Sequence, residues 1–252
     1  MNLTLNFEWI EAVMLAAVRI TAFIVVAPPF SYNAFPLRIK GMLGIGLAFA
    51  VAPRVTQGYV SPDTAGFITA LVLELVVGAA LGFLVMVVFS AVQSAGNLID
   101  MFGGFQMAQA FDPQSMVNGA QFTRLFQMTA LALLFASGGY QLIIGGLARS
   151  FTALPLGGGL DLAVTAQAMV GGVAQMFLAS VQIAGPLAVV LFLADAGLGL
   201  LTRVAPALNA FALGFPLKIL ITLMLGGLIL AALPGIVSSL TGQSVATLIG
   251  VR

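Results

Sequence analysis

The chain has 252 residues, 61% of them hydrophobic and only 7% charged, with a mean hydropathy of +1.14, whereas soluble domains carry about 25% charged residues. A net charge of +1 with no polybasic run excludes a strongly basic, nucleic-acid-type surface. Cysteine and histidine are both absent, which removes disulfides, thiol chemistry, imidazole bases and the usual zinc, haem and copper ligands, so no cofactor is expected.

The N-terminal text MNLTLNFEWIEAV carries Glu8 and Glu11 and lacks the basic start of a signal peptide, so the first apolar segment is taken as retained. A first helix is predicted from near Phe7 to about Ala27, with Trp9 close to a membrane interface. Arg19 lies inside it. A guanidinium at bilayer depth costs about 2.5 to 3.5 kcal/mol on insertion scales, so it must pair, snorkel or face other protein. Pro28, Pro29 and Pro36 end this helix and force an extended crossing before Arg38 and Lys40. The second segment, about Ile39 to Val55, has 13 uncharged residues between Lys40 and Arg54. That is short for a span, which points to shielding by protein.

A third segment, about Ala65 to Val92, carries Glu74 and the spacing Gly78, Gly82, read here as helix packing. Next comes GNLIDMFGGFQMAQAFDPQSMVNG, residues 96–119, unlike the uniform helices around it. Paired glycines at Gly103 and Gly104, acids at Asp100 and Asp112, and Pro113 predict a bend near Gly103 and another at Asp112. Phe102, Phe105, Met107, Phe111 and Met116 supply aromatic rings and flexible thioethers between these breaks, a composition suited to a deformable seal. The alternative is a plain connector with its apolar side buried.

A fourth helix is expected from about Gln121 to Ile144, followed by a loop over GGLARSFTALPLGGG. Leu125 to Ala148 is 24 residues without a charge and Leu162 to Ala194 is 33, against the roughly 20 needed to span. A fifth element, about Leu162 to Thr202, is too long for one straight span and is expected to kink or divide at Pro186. Pro206 and Pro216 then bracket a short interfacial turn before a final apolar run to Leu233. Six spans would place Arg38, Lys40, Arg124, Arg203 and Lys218 on one side and Arg54, Arg149 and Arg252 on the other, a mild bias for both termini outside.

The acids in apolar context are Glu74, Asp100 and Asp195. No paired-acid motif for intramembrane proteolysis is present, and Asp195 lies eight residues before Arg203, too far for an intrahelical pair, so an arginine on another helix is its expected partner. GGLARSF and LPLGGGL lack the lysine-bearing pattern of a phosphate loop. A serine nucleophile would need a lysine base, and neither Lys40 nor Lys218 has the spacing. No enzymatic activity is expected.

Five stretches carry a family resemblance over nearly the whole chain: PLRIK with the following LAFAVAP; ELVVGAALGF; GNLIDMFGGFQMAQAFDPQS; LLFASGGYQLIIGGLARSFTALPLGG; and LGLLTRVAPALNAFALGFPLKI. In content, order and separation they resemble the FliR family of flagellar export-apparatus proteins, whose relatives serve in the injectisomes of type III secretion. One departure is Gly139-Tyr140, where many relatives have Gly-His.

The resemblance implies an all-α, polytopic membrane-type fold with proline-broken helices, a single domain over 1–252, built to pack in a hetero-oligomeric helical export gate. It implies FliP-like and FliQ-like partners, contact with other export-apparatus membrane proteins and lipid, unfolded protein cargo in transit, no nucleic acid, and a place in the inner membrane at the flagellar basal body. In that family the protein looks like a fusion of a FliP-like and a FliQ-like part, one copy completing the assembly. The segment from Phe105 to Phe122 would be a pore plug, with Phe105, Met107, Phe111, Met116 and Phe122 as seal residues and Asp112 and Pro113 setting the bend. Arg19, Glu74, Asp100, Asp195 and Arg203 would form buried ion pairs or interfaces. The alternatives are the equivalent subunit of a virulence injectisome, a proton-coupled small-solute transporter using Asp100, Asp195 and Glu74, and, last, an intramembrane hydrolase.

Overall fold

The computed structural model describes residues 7–31, 35–106, 121–158, 162–205 and 210–250, without the side chains of 162, 210–212, 244–245 and 247–250. Among the described residues the chain is all helix: α1 Phe7–Val26, α2 Leu37–Val55, α3 Thr64–Phe102, α4 Gln121–Ala136, α5 Gly139–Ala153, α6 Leu162–Val204 and α7 Ala210–Gly250. Four of them, α1, α3, α6 and α7, are long and apolar enough to cross a membrane, and the broken pair of α4 and α5 brings the number to five at most. This is fewer than the six spans used for the charge bias. The physical reason is length and polarity: α4 and α5 have 16 and 15 residues, and α2, with 19, is interrupted by charge at both ends.

Several helix ends follow directly from local chemistry. Glu8 sits in the first turn of α1, where a carboxylate meets the positive end of the helix dipole. Pro36 precedes α2 in an extended conformation, as proline before a helix start must. At the end of α3, Gly103 N–H donates to the Ile99 carbonyl and Gly104 adopts a φ of 80°, so the expected bend at the glycine pair is a helix stop. Gly138, with φ 71°, separates α4 from α5 in a backbone state that costs glycine little.

Other expectations need correcting. The third helix continues ten residues beyond Val92, to Phe102. The expected single helix from Gln121 to Ile144 is two, and α5 runs on to Ala153, so GGLARSFTA is helical and the connection starts only at Leu154. Of the two outcomes expected at Pro186, a kink or a division, the division does not occur; Pro216 lies inside α7 and bounds no turn, and Pro206 is outside the described residues. A proline within a helix removes one backbone bond, and packing in long apolar helices commonly offsets that loss. At 1.5 Å per residue, α3, α6 and α7 would each rise about 58 to 65 Å, roughly twice the hydrocarbon thickness of a bilayer.

The chain divides into two compact units. Unit 1 comprises Met1–Val88, Gly138–Val173 and Leu240–Arg252; unit 2 comprises Phe89–Ser137 and Ala174–Ser239. Within unit 1, buried Leu15, Ile20 and Phe23 of α1, Ala48 of α2, Leu81 and Val85 of α3 and Ile143 of α5 make the core. Within unit 2, the buried set is Val92 and Ile99 of α3, Phe126 and Leu134 of α4, Leu187 and Leu191 of α6 and Leu233 of α7.

The glycine pair on α3 packs as its spacing predicts. A Cβ on Gly78 would lie 2.2 Å from the Arg19 carbonyl oxygen, and one on Gly82 would lie 2.9 Å from that of Phe23. Only a hydrogen fits where the α1 backbone presses on α3.

Candidate functional site

Unit 1 holds a buried polar cluster centred on Arg19, 1% exposed, and Glu74, 2% exposed. The guanidinium grips the carboxylate with two bonds, Nε to Oε2 at 2.5 Å and Nη2 to Oε1 at 2.9 Å. A third nitrogen, Nη1, donates to the Leu154 carbonyl at 2.9 Å, and Gly157 N–H donates to Glu74 Oε1 at 3.2 Å. The Phe151 ring lies under the guanidinium, 4.3 Å from its centroid. One ion pair therefore joins α1, α3, α5 and the connection after α5. Burying both charges costs several kcal/mol each unless they are paired and hydrogen-bonded, and here each guanidinium nitrogen donates one bond, both carboxylate oxygens accept, and an aromatic face covers the cation. Arg19 does not need to meet lipid.

Unit 2 holds the approach to the central stretch. Asp100, 0% exposed and in the last turn of α3, has no cationic partner among the described residues; it accepts from Phe122 N–H at Oδ1 (2.9 Å) and from Thr123 N–H and hydroxyl at Oδ2 (2.9 and 2.8 Å). Its carboxylate thus fills the capping role at the start of α4, where the first N–H groups have no partner within the helix. Phe105 meets Phe122 edge-on at 5.3 Å, and Phe122 meets Phe126 at 6.1 Å. The last helix closes on the same rings: a Cβ on Gly226 would lie 2.8 Å from Phe122 Cε1. Of the expected seal residues, Phe105 and Phe122 are therefore in contact. Met107, Phe111, Asp112, Pro113 and Met116 lie outside the described residues.

Asp195 is 50% exposed and pairs with Lys218 of α7 at 2.6 Å, a lysine where an arginine was expected. Arg203 is exposed in the last turn of α6, without an ion-pair partner among the described residues, where its charge complements the helix dipole. The partners Leu154, Gly157, Phe151 and Thr123 escaped sequence reasoning. All four act wholly or partly through backbone groups or a ring face, and those carry no motif.

Two grooves, one per unit, have no converging polar groups of the kind a catalytic site requires. One, of about 570 Å³, is lined by Met14, Val18, Val25, Ile45 and Leu75 among others. The second, of about 510 Å³, is lined by Leu98, Met101, Phe102, Val181 and Phe192 with small residues of α6.

The fold and these clusters define an all-α polytopic membrane protein in which Arg19, Glu74 and Asp100, charges buried in apolar helices, hold helices together. The family described as bacterial export proteins, family 1, matches residues 10–244, and the chain belongs to it. The flagellar biosynthetic protein FliR of Escherichia coli K12 is 32% identical over 226 residues, covering 90% of this chain and 85% of that protein. FliR of Bacillus subtilis is 29% identical, covering 85% and 84%. The secretion system apparatus protein SsaT of Salmonella typhimurium is 29% identical, covering 86% of each chain. This is a FliR-type export protein, a subunit of a type III secretion export apparatus.

Proposed function

We propose that the chain is the channel-forming FliR-type subunit of a flagellar protein export gate in the inner membrane at the basal body. It acts as one functional module, assembles with FliP-like and FliQ-like subunits, passes unfolded flagellar proteins, and performs no chemistry of its own. The single observation that carries this reading is the match over residues 10–244, which embraces every described helix apart from the terminal residues of α1 and α7. The three helices longer than a bilayer requires support a subunit packed largely against partners, since protein satisfies mid-helix charges that lipid does not.

Within that gate, the segment from Phe105 to Phe122 is a plug. The Phe105, Phe122 and Phe126 contacts support this reading, because an aromatic stack at the base of the segment gives a seal a fixed seat. The test is a tagged chain co-expressed with its neighbouring genes and purified from detergent-solubilised membranes. FliP-like and FliQ-like subunits are expected in one large complex; recovery of the chain alone overturns the assignment. In that complex, replacing residues 105–116 by small polar residues is expected to raise ion leakage while export partly survives. Unchanged permeability overturns the plug.

A second reading, the equivalent subunit of a virulence injectisome, is favoured by the 28% identity to the Yop proteins translocation protein T of Yersinia pestis and by SsaT. Neighbouring genes test it: flagellar genes found beside the coding sequence would exclude it, and injectisome genes there would establish it.

A further inference from the structure

Asp100 serves two helix ends at once. Its backbone carbonyl accepts from Phe105 N–H at 3.0 Å, while Gly104 N–H reaches the Met101 carbonyl at 3.4 Å and Gly104 takes the left-handed conformation. That is the six-to-one and five-to-two bonding of a Schellman stop, and it terminates α3. The side chain of the same residue caps α4, 22 and 23 residues further along the chain.

Three donors converge on this carboxylate, and all three bonds are 2.8 to 2.9 Å long. The two carboxyl oxygens face both backbone N–H groups as acceptors, whereas an asparagine has one oxygen and turns an NH₂ toward the remaining N–H. The surroundings leave little slack. A Cβ on Gly96 would lie 2.7 Å from Thr123 Cα, so α3 and α4 touch by backbone, and a Cβ on Gly103 would lie 2.9 Å from Thr222 Oγ1 of α7.

We infer that Asp100 is a positioning residue of the export gate: it locks the end of α3 to the start of α4 and so fixes where the seal residues Phe105 and Phe122 stand. This inference rests on the plug reading. A connector whose ends only had to be linked would need neither a buried charge nor its three-donor shell, because chain closure over such a length costs little. Held this way, Phe105 and Phe122 keep their edge-on contact at 5.3 Å.

The absence of native cysteine makes the test direct. Cysteines replacing the exposed residues Gln106 and Gln121 flank the joint, and spin labels on them report its spacing in the complete co-expressed complex. The native chain is expected to show one narrow distance distribution. In Asp100→Asn that distribution broadens and ion leakage rises roughly tenfold, the factor corresponding to one lost hydrogen bond to a charged group, about 1.4 kcal/mol, with FliP-like and FliQ-like subunits still recovered. An unchanged distribution overturns the positioning role. A broadened distribution without leakage, in a complex where deletion of 107–116 does leak, reduces Asp100 to a helix cap and leaves the plug standing. If that deletion does not leak, the plug falls and the gate role of Asp100 with it, whatever the distances. Should Asp100→Asn fail to assemble, Thr123→Val, which removes one donor and keeps both backbone bonds, is judged by the same criteria.

Discussion

Arg19 and Glu74, 55 residues apart in the sequence, share two hydrogen bonds in a site where neither is more than 2% exposed. Removing one partner strands a buried charge, a change worth about 3 to 5 kcal/mol, whereas removing both in favour of apolar groups is often neutral. Arg19→Met and Glu74→Leu are each expected to lower the amount of assembled protein sharply, and the double variant to recover most of it. Quantitative recovery of the tagged chain from membranes measures this. Normal accumulation of Arg19→Met alone would show that the pair does not hold unit 1 together. Arg19→Lys should resemble loss rather than conservation, since an ammonium cannot span Glu74 and Leu154 in the same fork.

Two adjacent glycines of α7 give a paired comparison. At Gly226 a Cβ would press to 2.8 Å on Phe122, whereas at Gly227 a Cβ would meet no other element within 4 Å among the described residues. Gly227→Ala is expected to be neutral or to stabilise the helix by up to about 1 kcal/mol. Gly226→Ala must move an aromatic ring and should cost about 1 to 3 kcal/mol. Thermal unfolding of the two variants in detergent checks the order, and equal midpoints would contradict the close approach.

The Asp195 and Lys218 pair separates the export reading from a proton-coupled transporter. Both groups are partly exposed, so the pair contributes at most about 1 kcal/mol to folding. Asp195→Asn is expected to leave export within about twofold of native, as the loss of so weak a pair implies. Motility or secretion of flagellar protein reads this out. Abolished proton-driven uptake by the isolated chain in vesicles would instead favour the transporter.

Tyr59 lies between α2 and α3, with its hydroxyl buried and without a hydrogen-bond partner among the described residues. Burial first, then the negative charges of Glu11 and Glu8, raise its pKa above the usual 10.0. A phenol whose folded pKa is raised stays protonated when the unfolded chain has already lost its proton, so its contribution is present below pH 10 and is lost as pH rises through the folded value. Tyrosine absorbance during alkaline titration should show one late ioniser that disappears in Tyr59→Phe and moves earlier in Glu11→Gln. The same titration midpoint in Glu11→Gln would remove Glu11 as a cause.

Composition and hydrophobic runs were enough to establish a membrane-type helical chain without cysteine or histidine, because these depend only on which residues are present. The positions of Arg19, Glu74 and Asp100 were equally plain, since a charge in an apolar run stands out whatever its partner. Glycine pairs marked the end of α3 through a purely local backbone preference. What the tertiary structure decided is who meets whom. Glu74 reaching Arg19, Asp100 capping α4, and Lys218 taking Asp195 are contacts between distant stretches that leave no periodicity to read. Proline misled for a related reason. Pro216 signals a break locally, yet α7 continues through it, as α6 does through Pro186 where a kink or a division was expected, because one missing backbone bond is small beside the packing energy of a forty-residue helix.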